Sequence, residues 1–169
     1  MNKILTGKAF VYGNNIDTDQ IYPGRYLELV KPEDIARHCL EGADPTFVEN
    51  MSPGDIVVGG TNFGCGSSRE HAVITLKTAG VSVVLAESFA RIFFRNAINL
   101  ALPLMVCPGI SKKVKTGDIL EVNLEEGLVL NKTTGETIVG EKISEYVMNI
   151  LESGGIKPLF KKKTQEIYR

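Results

Sequence analysis

Short apolar runs alternate with segments of helical periodicity through the centre of the chain. The apolar runs are rich in β-branched side chains, which is typical of strands buried on both faces, and they cover residues 56–58, 81–86 and 104–107. Between them, apolar residues recur at helical spacing in residues 69–78 and 88–100, with Ser88 in an N-cap position. Because strands that alternate with helices favour parallel pairing, the centre of the chain is predicted to be an α/β unit.

The segments on either side extend this unit. Residues 9–12 form a short predicted strand, and residues 32–40 carry the signals of a short helix with Pro32 at its start. His38 lies in the last turn of that helix, where interaction with the helix dipole explains it.

After Gly117 the pattern changes to short alternating runs separated by glycine turns, over residues 119–124, 128–130 and 137–139. These runs predict an antiparallel meander, and a last helix is predicted over 143–152. The fold expected for residues 1–169 is a single α/β domain, a mixed sheet layered with helices plus β-hairpin additions, in which 160–169 form a flexible tail.

Composition narrows the functional classes. The 169 residues are 43% hydrophobic and 23% charged, and 19 basic against 20 acidic residues give a formal charge of -1. This balance argues against a nucleic-acid or anionic-membrane partner, and since no apolar run approaches a membrane span we expect a cytoplasmic protein. The three cysteines, Cys39, Cys65 and Cys107, are widely spaced, so neither a disulfide framework nor a metal site within the chain is expected.

The strongest chemical signal is the stretch Gly64-Cys65-Gly66-Ser67-Ser68-Arg69-Glu70-His71. Its glycines allow close approach of backbone to a ligand, and the spacing of Ser67 and Glu70 predicts a capping box at a helix start. Exposed amides, two hydroxyls and a guanidinium favour a bound carboxylate or phosphate. The alternative is a helix cap alone, with Arg69 in solvent, which leaves the combination of Ser68, Arg69 and two glycines unexplained.

A second polar segment, Asn15-Ile16-Asp17-Thr18-Asp19, follows the first predicted strand and is rich in hydrogen-bond acceptors. On physical grounds alone it is equally well interpreted as an Asx-type turn or as part of a functional site.

With Asp17-Thr18-Asp19-Gln20-Ile21 before it and Ser88-Phe89-Ala90-Arg91-Ile92 after it, the glycine stretch resembles the isopropylmalate dehydratase small subunits of the aconitase-like hydro-lyases. The resemblance covers essentially the whole chain. It implies a swivelling β/β/α domain that docks on a large subunit, with which it forms a heterodimer or heterotetramer. It also implies a [4Fe-4S] cluster held by three cysteines of that partner, and leucine-biosynthetic interconversion of 2- and 3-isopropylmalate by dehydration and rehydration.

The resemblance also implies residue roles. Ser67 matches the serine that acts as an alkoxide base, while Ser68 and Arg69 match positions that bind a substrate carboxylate. Asp19 matches an acid that orients neighbouring groups. Since a serine that caps a helix is not free to act as a base, we expect Ser67 to exchange between these two states when substrate and partner bind.

The substituent on the substrate is expected to be read by the segment Tyr26-Leu27-Glu28-Leu29. Leu27 and Leu29 suit an apolar isopropyl group, and Glu28 would repel the third carboxylate that homoaconitase-type relatives accept with an arginine. Glu28 also leaves 2,3-dimethylmalate and citramalate as alternative substrates. Two other classes stay open: a non-catalytic anion-binding module, and a Cys65-dependent hydrolase, for which the sequence fixes no base.

Overall fold

The computed structural model describes residues 1–167, in which seven strands form one sheet in the order β4-β3-β2-β1-β5-β6-β7. The strands are β1 Ile4–Val11, β2 Ile56–Gly59, β3 Val83–Ala86, β4 Leu104–Val106, β5 Ile119–Asn123, β6 Leu128–Asn131 and β7 Thr137–Val139. The first four are parallel to one another, and β1 pairs with β5 in antiparallel register. The antiparallel pairs β5–β6 and β6–β7 complete the predicted meander, so the mixed α/β prediction is confirmed.

Alternate residues of the parallel strands are buried on opposite faces of the sheet. Val57 and Val84 belong to a core beneath the helices, whereas Ile56 and Val83 belong to a second core. That second core also contains residues of all three antiparallel strands, among them Val122. The sheet therefore curls so that its antiparallel half covers the face opposite the helices, which gives the expected β/β/α layering.

The helices are α1 Thr18–Ile21, α2 Pro32–Ala36, α3 Phe47–Asn50, α4 His71–Ala79, α5 Arg91–Asn99, α6 Glu145–Glu152 and α7 Ile156–Ile167. The four helices predicted from the sequence are all shorter in the structure, and two of them, α2 and α5, are shorter by four residues each. The helix predicted over 32–40 ends at Ala36, because the amide of Leu40 donates to the carbonyl of Ile21 at the end of α1. The helix predicted to begin at Ser88 begins at Arg91, because the Ser88 hydroxyl accepts from the amide of Asn62.

The C-terminal segment contains the last two helices. Ser144 caps α6 through a hydrogen bond from the amide of Val147, and α7 extends to Ile167, so it covers most of the range 160–169 for which a flexible tail is predicted. Leu159 is buried with Ile98 of α5, which fixes the start of α7. Residues 168 and 169 lie outside the described residues. Among those described, no helix combines the length and apolar character that a membrane crossing requires.

Candidate active site

Three loops meet at the carboxyl ends of β1, β2 and β3. The amide of Gly64 donates to the carbonyl of Ile16 over 2.7 Å, and the amide of Thr18 donates to the carbonyl of Cys65 over 2.8 Å. The amide of Phe63 similarly reaches the carbonyl of Ser88 at 3.0 Å. The strand pairings thus continue beyond the sheet, and they hold the segment from Gly64 to Arg69 against the start of α1. This edge of a parallel sheet is where α/β proteins commonly bind ligands.

The glycines of this segment are required by packing within the protein. Gly64 has φ +83°, and a Cβ there would lie 2.2 Å from Phe93 Cγ. Gly66 has φ +103°, and its Cβ would lie 3.1 Å from Thr18 Oγ1. Both positions combine a left-handed backbone with close approach to another element, so the segment fits against α5 and α1 only with glycine.

The predicted capping box at Ser67 and Glu70 is wrong. Helix α4 begins at His71, with Glu70 at the N-cap position and no side-chain hydrogen bond to the helix from that residue. The capping box instead lies at α1, where Asp17 accepts from the amide of Gln20 and Gln20 accepts from the amide of Asp17. The Ser67 hydroxyl is therefore not occupied by helix capping, and the expected exchange between cap and base is not needed.

Two side chains converge on the Ser67 hydroxyl. Arg69 Nε donates to Ser67 Oγ over 2.6 Å, and Thr18 Oγ1 lies 3.3 Å from the same oxygen. Thr18 Oγ1 also accepts from the Ser67 amide at 3.1 Å. A threonine hydroxyl can accept from that amide and also donate its hydrogen, and in the contact with Ser67 Oγ either oxygen can be the donor. Thr18 is only 3% exposed, whereas Ser67 is exposed.

Arg69 is positioned from both ends of its guanidinium. Nε is held by Ser67, and a terminal nitrogen lies 3.9 Å from Asp19 Oδ1. The side chain of Arg69 is 28% exposed and that of Asp19 is 67% exposed, so this long ion pair is partly screened by solvent. Asp19 also accepts from the amide of Gly24 at 2.8 Å. Asp19 thus links the guanidinium to the loop that follows α1.

Ser68 is exposed, and its backbone carbonyl accepts from the side-chain amide of Asn96 in α5. This contact fixes the chain between Ser67 and Arg69 without using the Ser68 hydroxyl. The substrate-binding role of the Ser68 hydroxyl stays a prediction.

The loop expected to read the substituent begins beside Arg69. A Cβ on Gly24 would lie 3.3 Å from a terminal nitrogen of that guanidinium. Leu27 is 39% exposed, Glu28 is exposed and Leu29 is partly buried. The carboxylate that pairs with Arg69 is that of Asp19, not that of Glu28. The structure therefore brings the start of the loop to the site and leaves Leu27 and Glu28 open to solvent.

Sequence reasoning missed the parts played by Thr18 and His38. Thr18 lies inside the quoted motif, but its contact with Ser67 spans 49 positions of sequence, and a local pattern does not encode such a contact. His71 stacks on Tyr22, with ring centroids 5.6 Å apart. His38 lies beyond the end of α2, so the helix dipole does not explain it; its Nδ1 contacts Glu41 instead.

Two of the three cysteines are buried, whereas Cys65 is partly exposed. Cys39 and Cys107 are buried, and burial raises the pKa of each thiol to about 12. Within residues 1–167 no group of three or more His, Cys, Asp or Glu side chains is arranged to hold a metal ion. A cluster ligand set is thus not provided by the described part of this chain.

A family model described as the aconitase C-terminal domain matches residues 8–108. The chain belongs to the aconitase C-terminal domain family. The chain is 58% identical in sequence to the isopropylmalate/citramalate isomerase small subunit of Methanocaldococcus jannaschii, and the match covers 98% of this chain and 99% of the relative. It is 53% identical to the 3-isopropylmalate dehydratase small subunit 1 of Methanopyrus kandleri, over 96% of each chain.

The fold comparison agrees with the aconitase-type assignment. The crystal structure of a 3-isopropylmalate dehydratase (leuD) from Methanocaldococcus jannaschii superposes with a TM-score of 0.94 at 40% identity, and the match covers 98% of both chains. The family resemblance drawn from the three sequence motifs is therefore confirmed.

Proposed function

We propose that this chain is the small subunit of a 3-isopropylmalate dehydratase, a hydro-lyase that interconverts 2- and 3-isopropylmalate in leucine biosynthesis. The observation that carries the proposal is the Ser67 hydroxyl, which has Arg69 Nε at 2.6 Å and the buried Thr18 hydroxyl at 3.3 Å. The names and high identity of the relatives support the same activity.

The reaction needs a base at the carbon next to a carboxylate. In the dehydration half, Ser67 Oγ as the alkoxide takes the proton from that carbon, the electron pair forms the double bond, and the hydroxyl group leaves from the neighbouring carbon. Serine is a very weak acid in water, so this role requires donors aimed at the deprotonated oxygen. Arg69 Nε is such a donor, and the Thr18 hydroxyl would donate to the same oxygen once Ser67 has lost its proton; both lie within hydrogen-bond distance of Ser67 Oγ.

Arg69 also has donors left for the substrate. With Nε directed at Ser67, its two terminal nitrogens form an edge that suits a bidentate carboxylate. A carboxylate bound there would be held next to Ser67 Oγ, which orients the reacting carbon. Ser68 is expected to add a hydroxyl contact to the same carboxylate, and Asp19 to keep the guanidinium in this orientation.

The site is only half of an active site. Ser67 and Ser68 are exposed, and water must be excluded for alkoxide chemistry. Because the described residues provide no cluster ligands, we place the [4Fe-4S] cluster on a separate large subunit, where it would act as the Lewis acid for the leaving hydroxyl. The three free cysteines suit a reducing compartment, and we place the complex in the cytoplasm.

The substituent is expected to be apolar. Leu27 and Leu29 offer an apolar surface, while Glu28 disfavours a further substrate carboxylate, which argues against a homoaconitase-type tricarboxylate. The name of the Methanocaldococcus jannaschii relative includes both isopropylmalate and citramalate. A related hydro-lyase acting on citramalate or 2,3-dimethylmalate is therefore the second candidate.

The proposal is tested with the small subunit reconstituted with its large subunit. Interconversion of 2- and 3-isopropylmalate is followed by proton NMR, with citramalate, dimethylmalate and homocitrate as competing substrates. Ser67→Ala is expected to lower kcat by about 10²–10⁴, the range of a general base. Ser52→Ala, at an exposed serine outside the site, is the matched control and should retain wild-type kcat.

Two results would contradict the proposal. Wild-type turnover by Ser67→Ala would show that Ser67 is not the base. Tight binding of a carboxylate or phosphate by the chain alone, together with no turnover by the complex, would instead support a non-catalytic anion-binding module.

A further inference from the structure

Four side chains next to the proposed site form a cluster around one carboxylate, which we call the Glu41 cluster: Arg25, Tyr26, His38 and Glu41. Glu41 Oε1 accepts from the Tyr26 hydroxyl at 2.8 Å and from the Arg25 guanidinium at 3.0 Å. Glu41 Oε2 lies 2.5 Å from His38 Nδ1, which must donate because an ionised carboxylate only accepts. All of these contacts end on the loop that follows α1 or on the turn that follows α2.

The rings of the cluster are packed as well as hydrogen-bonded. Tyr26 and His38 stack with centroids 3.6 Å apart and planes 13° apart. The Arg25 guanidinium lies 4.8 Å from the Tyr26 ring centre. Tyr26 is therefore fixed at its ring faces and at its hydroxyl.

The turn that contains Glu41 is hydrogen-bonded to α1 on both sides of this residue. The amide of Leu40 donates to the carbonyl of Ile21, and the amide of Gly42 donates to the carbonyl of Gln20. A Cβ on Gly42 would lie 2.7 Å from Gln20 Cα, so the turn packs directly on α1. This arrangement fixes the backbone of Glu41 relative to the same short helix that contains Thr18 and Asp19.

The carboxylate is kept charged. Partial burial of Glu41 raises its pKa, but the hydrogen bonds from His38 and Tyr26 outweigh burial and hold the pKa below its ordinary value. An ionised acceptor strengthens each of the three bonds that it receives.

A second set of contacts holds Tyr26 from the side of the proposed base. The hydroxyl of the buried Tyr22 donates to the Tyr26 carbonyl over 2.5 Å. The Tyr22 ring also stacks on His71, which follows the Ser67–Arg69 segment at the start of α4. The Tyr26 backbone is thus linked to the segment of the proposed base, and its side chain is linked to Glu41.

Residues 27–29 follow Tyr26 directly and depend on it for their position. The amide of Leu29 donates to the Tyr26 carbonyl, and the amide of Leu27 donates to the carbonyl of Gly24. Because Leu27 is 39% exposed and Glu28 is exposed, their own packing fixes them less than the turn does. The position of this segment therefore depends in part on how firmly Tyr26 is held.

We propose that Glu41 and His38 are positioning residues, which hold the Leu27–Leu29 segment as a fixed wall against the substrate's alkyl substituent and so determine how strictly the complex selects that substituent. This inference rests on the proposed function. It assigns the selectivity to side chains that do not touch the substrate and act through Tyr26.

The test uses Glu41→Gln, which keeps the shape of the side chain and removes its charge and one acceptor. In the reconstituted complex we expect KM for isopropylmalate to rise roughly tenfold, the size of a lost alkyl contact in a hydrophobic pocket. KM for citramalate, which lacks that contact, should change less than about twofold, and kcat for both should stay near wild type. Glu49→Gln, at an exposed glutamate in α3, is the matched control.

A second readout does not depend on turnover. Hydrogen exchange of the full chain should show faster exchange of the Leu27 and Leu29 amides in Glu41→Gln, with unchanged exchange in the core strands. His38→Phe keeps a ring against Tyr26 but removes the Nδ1 donor, and it should produce a smaller change of the same kind. It serves as the informative variant if Glu41→Gln fails to fold.

The outcomes separate the two proposals. If the wild-type complex does not turn over isopropylmalate, the proposed function fails, while hydrogen exchange still tests whether Glu41 holds the loop. Unchanged exchange at Leu27 and Leu29 overturns the positioning role. Faster exchange with the ratio of isopropylmalate to citramalate KM unchanged overturns the link to selectivity.

Discussion

The contact between the Gly64 segment and α5 makes a quantitative prediction. Gly64 has φ +83°, and a Cβ there would lie 2.2 Å from Phe93 Cγ. Gly109 has nearly the same backbone, φ +84°, but no described atom lies within 4 Å of the Cβ that alanine would add there. Gly64→Ala and Gly109→Ala therefore share the backbone strain and differ in the steric overlap.

The size of each effect follows from these two terms. A left-handed backbone costs an alanine about 1–2 kcal/mol, which is the whole loss expected for Gly109→Ala. Phe93 is buried and packs edge-on against Phe63, so it cannot withdraw freely from a new methyl group. Overpacking of this kind adds about 1–3 kcal/mol, so Gly64→Ala is expected to lose about 2–5 kcal/mol.

The assay is equilibrium unfolding of the full chain in urea, followed by circular dichroism, with equal m-values required for the comparison. The difference between the two variants should be about 1–3 kcal/mol in favour of Gly109→Ala. Equal losses in the two variants would refute the steric argument. A loss below about 1 kcal/mol in both would also refute the left-handed backbone at these positions.

Three further predictions concern the hydroxyl of Ser67, the guanidinium of Arg69 and the partly buried carboxylate of Glu87. In the reconstituted complex, Thr18→Val should lower kcat about tenfold or more and leave KM within about twofold, because it removes one hydrogen-bond donor to a charged oxygen. Thr18→Ser, which keeps the hydroxyl, should restore most of the lost kcat, and Thr61→Val is the control. An unchanged kcat in Thr18→Val would show that Thr18 has no part in the mechanism. Arg69→Lys should lower kcat about 10–100-fold and raise KM, because a single ammonium group cannot donate to Ser67 Oγ and also bind a carboxylate in bidentate fashion. If steady-state kinetics showed a change in KM alone, the contact between Arg69 Nε and Ser67 Oγ would have no role in turnover. Burial raises the pKa of Glu87, but the hydrogen bonds that its carboxylate accepts from Ser111 and Gly109 outweigh burial and leave the pKa below its ordinary 4.5. The ionised carboxylate therefore stabilises the fold above pH 4.5. This stabilisation is lost as the pH falls through the folded-state pKa. Unfolding should therefore show Glu87→Gln to be less stable than wild type near pH 7, with a gap that narrows as the pH falls below 4.5, and a gap that does not narrow would contradict the sign.

The sequence was a good guide where the signal is periodic. The apolar runs at 56–58 and 81–86 identified strands buried on both faces, because a strand covered by helices on one side and strands on the other needs apolar residues at every position. The glycine turns after Gly117 likewise identified the meander. The boundaries of helices were less well predicted, since Ser88 and Leu40 use their polar groups in bonds to distant segments.

The sequence by itself determined the order of the elements, the burial of the parallel strands and the family to which the chain belongs, because these properties depend on local periodicity and on motifs that are contiguous in the chain. Tertiary structure decided that Ser67 is not a helix cap, that Thr18 and Arg69 converge on its hydroxyl, and that Glu41 holds Tyr26. Each of these is a meeting of side chains whose geometry no sequence spacing fixes: the Thr18 hydroxyl reaches Ser67 across 49 positions, and only the pairing of the loops after β1 and β2 brings the two together.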